Sequence, residues 1–242
     1  MTELSSLPSN GYGWLMLIGI AVSLTLWSRI AKRDDRLFPI YIAALTAAFV
    51  GAKLVYLAAE GWMHWHDPDR WIQFATGKSV LGALLGGYAG VELAKHFMDY
   101  RKPTGDWFAI IAPLGILLGR IGCLLHGCCL GQICQPAWYT LTDSSGLTRW
   151  PAVPLELAFN ALALVGVFLL RQTRSLPGQH FHLYLIGYGV FRFLHEFVRD
   201  TPRLLGPLSG YALAALAVTC LGLIRFIGRA GALRRHSASI PN

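Results

Sequence analysis

Seven apolar runs, at about 13–28, 37–58, 80–98, 107–126, 153–170, 180–198 and 205–228, take up nearly all of this chain of 242 residues. Each approaches the roughly 20 residues with which an α-helix crosses a bilayer. In lipid every backbone N–H and C=O must find a partner within the protein, which leaves helices or closed barrels. The pattern therefore predicts an all-α integral membrane protein: seven transmembrane helices forming a single polytopic membrane domain over residues 1–242. Composition agrees. Only 14% of residues are charged, against about 25% in a soluble domain, and mean hydropathy is +0.46. The opening MTELSSLPSNGYG carries Glu3 and no basic cluster, so no cleavable leader is expected.

The formal net charge of +8 invites a nucleic-acid reading, but the placement of Lys and Arg argues otherwise. Thirteen of the 21 follow odd-numbered runs: Arg29, Lys32, Arg33 and Arg36; Lys95, Arg101 and Lys102; Arg171 and Arg174; Arg225, Arg229, Arg234 and Arg235. Five follow even-numbered runs: Arg70, Lys78, Arg149, Arg199 and Arg203. Cytoplasmic loops carry the basic excess, so the N-terminus is expected outside and the C-terminus in the cytoplasm. No nucleic-acid partner is implied.

Ionisable groups inside an apolar span are costly unless paired or hydrated, and so mark function. In the sixth run Tyr188, Arg192, His195, Glu196 and Arg199 fall on one helix face. In the fourth, Arg120, Cys123 and Gly127 share a face, with His126 beside them. Lys53, Tyr56 and Glu60 make a third stripe, and Glu92 with Lys95 a fourth. An excess of guanidinium over carboxylate suits a phosphate, which arginine binds as a fork. The plain alternative is an internal ion-pair network that fixes helix packing, for which Arg192 and Glu196 have the i, i+4 spacing.

Gly82, Gly86 and Gly90 recur every fourth residue, the pattern of closely approaching helices. GKS at 77–79 is not a phosphate loop, because Ile72 occupies the place of its first glycine. HWHDPDRW at 64–71 reads as an interfacial loop, with His64 and His66 as ordinary solvated histidines.

GRIGCLLHGCC at 119–129 is followed by Cys134. Cys123, Cys128, Cys129 and Cys134 are expected on the oxidising side, where a disulfide from Cys134 to Cys128 or Cys129 could staple the loop. Cys and His also bind zinc or copper(I), although the spacing is not that of a Cys-x-x-Cys knuckle. Cys220 stands alone in the last run as a packing residue.

These residues resemble the prolipoprotein diacylglyceryl transferase family. YGVFRFLHEFVR at 188–199 is similar to the family's Tyr-Gly-x-x-Arg-Phe-x-x-Glu-x-x-Arg segment at every fixed position. Gly119, Arg120, Gly122 and Gly131 fit its Gly-Arg-x-Gly-Asn-Phe-x-Asn-x-Glu-x-x-Gly frame, and SVLGALLGG at 79–87 resembles its Ser-Phe-His-Gly-Gly-Leu segment. The asparagines become Cys123 and His126, the glutamate becomes Cys128, and the histidine becomes Leu81.

The resemblance implies transfer of diacylglycerol from phosphatidylglycerol, or another anionic phospholipid, to a prolipoprotein cysteine or other acceptor, or a closely related phospholipid group transfer, in the bacterial inner membrane. It implies lipid-phosphate binding by Arg120, Arg192 and Arg199, with Tyr188 and Glu196 in the catalytic set. His126 is the expected general base in place of the missing histidine, and His195 the reserve. Neither a metal nor a cofactor is assigned. The other reading keeps the fold but gives the Cys/His cluster a metal-binding or thiol–disulfide role without lipid transfer.

Overall fold

The computed structural model describes residues 10–32 and 34–238. The expectation about a leader therefore falls mostly on residues outside those described, as does Arg33 in the charge argument. Seven long helices overlie the seven apolar runs: α1 (Asn10–Ala31), α2 (Leu37–Ala59), α4 (Val80–Phe97), α5 (Gly105–His126), α6 (Ala152–Gln172), α7 (His180–His195) and α8 (Gly210–Ala238). A short α3 (Arg70–Thr76) lies between α2 and α4. Among the described residues, four are long and apolar enough to cross a membrane: α2, α5, α6 and the Gly210–Ala230 part of α8. In α1 the apolar part is the shorter Leu17–Ala31.

The boundary of the last run differs from expectation. Residues 205–209 belong to a hairpin of β3 (Arg203–Leu205) and β4 (Leu208–Ser209), not to the helix. Gly206, at φ +57°, and Pro207 make the turn, a conformation that glycine adopts without steric cost. Helix α8 starts only where the Ser209 hydroxyl accepts the Ala212 N–H at 3.0 Å, as an N-cap.

Packing of α2 on α4 explains the glycine repeat. A Cβ on Gly82 would collide with the Gly51 carbonyl, and one on Gly86 with the Ala47 carbonyl. Between helices in lipid, close van der Waals contact replaces the hydrophobic effect as the attraction, and small residues permit it. Lys53 turns out to serve the same joint. Its ammonium donates to the carbonyls of Phe74, Ala75 and Gly77 at 2.6, 2.6 and 2.7 Å, closing the end of α3. Glu60, from the same stripe, accepts the Tyr211 hydroxyl at 2.7 Å. Glu92 pairs with Lys95 at 3.5 Å and with Arg225 at 3.7 Å.

Candidate functional site

At one end of the bundle, α2, α5 and α7 finish while α4, α6 and α8 begin. The segments joining them converge over a set of buried charges. Arg120 comes from the last two turns of α5, Glu156 from the first turns of α6, and Tyr188 and Arg192 from α7. Glu196 and Arg199 follow in the turn beyond α7.

Glu156, with no solvent exposure, is the hub. Its Oε2 lies 3.0 Å from Arg120 Nη2, 3.7 Å from Arg199 Nη1 and 4.0 Å from Arg192 Nη1. Its Oε1 accepts the Tyr188 hydroxyl at 2.6 Å. Asn160, one turn on, donates to the Glu156 carbonyl and accepts from Tyr184, each at 2.8 Å. Glu196 Oε2 pairs with Arg192 Nη2 at 2.9 Å and stands 3.9 Å from Arg199 Nε, while its Oε1 accepts from Thr201 at 2.6 Å.

Among the described residues, then, two carboxylates lie within 4.0 Å of three guanidiniums. One positive charge is left over. Buried Nε atoms of Arg120, Arg192 and Arg199, and Nη1 of Arg199, make no hydrogen bond. Burial and the charges of Arg192 and Arg120 push the Arg199 guanidinium below the ordinary arginine value. It remains a cation, since arginine does not lose its proton in proteins, but one short of negative charge.

Arg199 is held by a backbone clamp. Gly131 and Ile133 form isolated bridges with Arg199 and Arg149 respectively. Gln132 donates its N–H to Val198 O at 2.9 Å and its side-chain amide to Arg199 O at 3.2 Å. A Cβ on Gly131 would come within 2.5 Å of the Trp150 carbonyl, so this crossing requires glycine. Arg149 completes the clamp, bonding Asp143 at 2.7 Å and Asp200 at 2.9 Å. The expected disulfide staple is absent. All five cysteines are thiols, and Cys134 fixes the loop through its backbone N–H on Thr148 O at 3.0 Å.

A cavity of about 1570 Å³ runs between the helices, from this site to a polar far end that includes Glu92, His182 and Arg225. Arg120, Arg192, Arg199, Cys123, Cys128, Cys129 and His126 line its near end. Its middle is apolar or small, with Ala83, Gly87, Gly115, Ile116 and Gly119 on the wall. Drug-sized pockets run to about 1,000 Å³, so this volume suits a ligand with long chains.

The expected site residues thus divide. The arginines reach the cavity wall, whereas Tyr188, Glu196 and His195 do not line it and stand behind them. His195 is buried, its Nδ1 3.2 Å from Arg192 Nη1 and its ring stacked on Phe191 at 4.9 Å. His126 is exposed at the end of α5, on the cavity mouth. Leu81, at the family's histidine position, is buried in the apolar core and does not line the cavity. Glu156 and Asn160 escaped the sequence reading, although a carboxylate and an amide four apart in the fifth apolar run were the available signal.

A family model described as prolipoprotein diacylglyceryl transferase matches residues 1–228. The chain is similar to the phosphatidylglycerol--prolipoprotein diacylglyceryl transferase of Clostridium tetani, 30% identical with 83% of this chain and 85% of that protein covered. It is also similar to those of Methylococcus capsulatus (30% identical, 96% and 94% covered) and Azotobacter vinelandii (28% identical, 94% and 90% covered).

Proposed function

The chain belongs to the prolipoprotein diacylglyceryl transferase family, and on that premise we propose that it transfers a diacylglyceryl group from phosphatidylglycerol to a prolipoprotein cysteine. The carrying observation is the trio of guanidiniums on the cavity wall, with both carboxylates set behind it and one positive charge in excess. That arrangement suits the phosphate of a lipid whose acyl chains occupy the apolar middle.

In this reading Arg120, Arg192 and Arg199 bind the phosphodiester. Glu156, Glu196 and Tyr188 are positioning residues that fix the guanidiniums. The acceptor thiol gives its proton to a base and attacks the glycerol carbon bonded to the phosphate oxygen. A C–S bond forms, the C–O bond breaks, and its electron pair leaves on glycerol phosphate, where the guanidinium charges stabilise it. A thiolate is the nucleophile, and His126 at the cavity mouth is the base the chain offers. A positioned base of this kind contributes about 10²–10⁴-fold.

The membrane reading goes with it: one polytopic domain, all seven long helices as spans, and the C-terminus cytoplasmic. The charged site then faces the outer leaflet of a bacterial inner membrane. Exposed Trp62, Trp65 and Trp71 beside the site favour head-group depth there. The test is transfer by the purified protein from phosphatidylglycerol vesicles to a lipobox peptide. A thioether-linked diacylglyceryl peptide, formed with phosphatidylglycerol and lost in Arg120→Ala, supports the reading. Absence of product from well-folded protein contradicts it.

A further inference from the structure

We propose that Cys123, Cys128 and Cys129 form a binding site for a single thiophilic d10 ion, copper(I) or zinc(II), beside the arginines of the proposed lipid site. The site is a product of how α5 ends. Gly127, at φ +66°, stops the helix. The Cys128 N–H bonds Cys123 O at 3.1 Å and the Gly127 N–H bonds Leu124 O at 3.3 Å. This is the Schellman cap, in which a side chain from the last turn of the helix meets that of the second residue past its end. The usual contact there is apolar. Here both partners are thiols.

The third sulfur arrives by a strained step. Cys129 has φ +61°, a left-handed conformation that residues with a side chain rarely adopt. The three Sγ atoms lie within 4.8 Å of one another. A metal–sulfur bond of about 2.3 Å sets sulfurs about 4 Å apart around one ion, so the thiols need to close by under about 1 Å. A cap thus does what a Cys-x-x-Cys turn does in other proteins, which is why the spacing gave no sign of it.

Charge and access fit as well. Three S–H bonds break, three metal–sulfur bonds form, and three protons leave to water. No oxidant or reductant is needed. The product carries net charge −1 with zinc(II) and −2 with copper(I), and Arg120 Nη1 stands 3.8 Å from Cys123 Sγ to offset it. All three cysteines line the cavity, through which an ion enters. Soft thiolate sets select copper(I) and zinc over harder ions.

The experiment loads reduced, full-length protein in detergent with zinc(II) or copper(I) in separate arms. Each arm is then passed over a competing chelator, and the metal per chain is measured. One ion per chain is expected in at least one arm, and which arm retains it names the ion. Cys123→Ser, Cys128→Ser and Cys129→Ser should each lose it, whereas Cys134→Ser and Cys220→Ser should keep it. Alkylation mapped by mass spectrometry needs no variant: the bound ion should shield those three thiols and leave Cys134 reactive. Metal-free wild type in both arms overturns the proposal, as does an ion retained in the triple serine variant. Lipid transfer is not read out here, so failure leaves the transferase reading standing.

Discussion

Glu156 Oε2 lies 3.0 Å from Arg120 Nη2, and through this contact α6 is tied to α5 beneath the cavity wall. The same oxygen faces Arg192 and Arg199, so one carboxylate sets the position of three guanidiniums. Removing the partner of a buried ion pair costs about 3–5 kcal/mol, because the charge left behind stays desolvated. Glu156→Gln should therefore destabilise the fold by that order and abolish transfer, although its shape is conserved. Tyr188→Phe removes one hydrogen bond to a charged group, worth about 1.5–3 kcal/mol, and should retain measurable transfer. Thermal unfolding in detergent beside the vesicle assay checks both.

Arg199→Lys separates charge from fork geometry. Lysine keeps a point charge but cannot make the two parallel bonds of a guanidinium. A loss of about 1.4–2.8 kcal/mol of phosphate contact corresponds to a ten- to hundredfold change. The expected result is a rise of that size in KM for phosphatidylglycerol, with unfolding unchanged, because the clamp holds this segment through Arg199 and Val198 backbone atoms.

Two glycines should respond oppositely to alanine. At Gly86 the new methyl meets the Ala47 carbonyl of α2, and overpacking of this kind costs about 1–3 kcal/mol. At Gly119 nothing lies within 4 Å of the new carbon, so stability should hold while the cavity narrows. Unfolding temperatures separate the two. A lower rate with long-chain than with short-chain phosphatidylglycerol in Gly119→Ala would place the acyl chains along α5.

The clamp carries a pH signature. The side-chain bond from Arg149, with the N–H groups of Leu147 and Ser145, holds the Asp143 carboxyl below its usual range. A lowered folded value means that the stabilisation is fully present above about pH 4 and is lost as pH falls through the folded value. Hydrogen exchange in the hairpin of β1 (Leu141–Thr142) and β2 (Thr148–Arg149) should stay protected, after correction for intrinsic rates, from neutral pH down to that range and then loosen. Asp143→Asn should start looser and show no such step.

What the sequence made legible follows from where the information sits. The long helices could be read because length and hydropathy are local properties. Arg120 and Arg192 could be read because a charge inside an apolar helix stands out, whereas Glu196 and Arg199, expected on the same helix face as Arg192, lie past the end of α7 at His195 and reach the site from the turn beyond it. Glu156 was hidden in PLELAFN, where a single carboxylate inside an apolar run was passed over in favour of the arginine stripe. The count of unpaired arginines was too high as a result. Residues 205–209 of the hairpin were misread as helix because LLGPLSG is apolar, although Gly206 and Pro207 were turn signals. The meeting of three sulfurs depends on a helix cap and one left-handed residue, which no spacing rule contains.

The most direct test of the central claim is complementation in cells depleted of their own diacylglyceryl transferase, with wild type and Arg192→Ala expressed to equal membrane levels. Modified prolipoprotein is scored by its shift on gels and by mass spectrometry of its N-terminal peptide. Rescue by wild type and its loss in Arg192→Ala is the expected result. Equal rescue by both would contradict phosphate binding at this arginine cluster, and no rescue by well-expressed wild type would contradict the transferase reading itself.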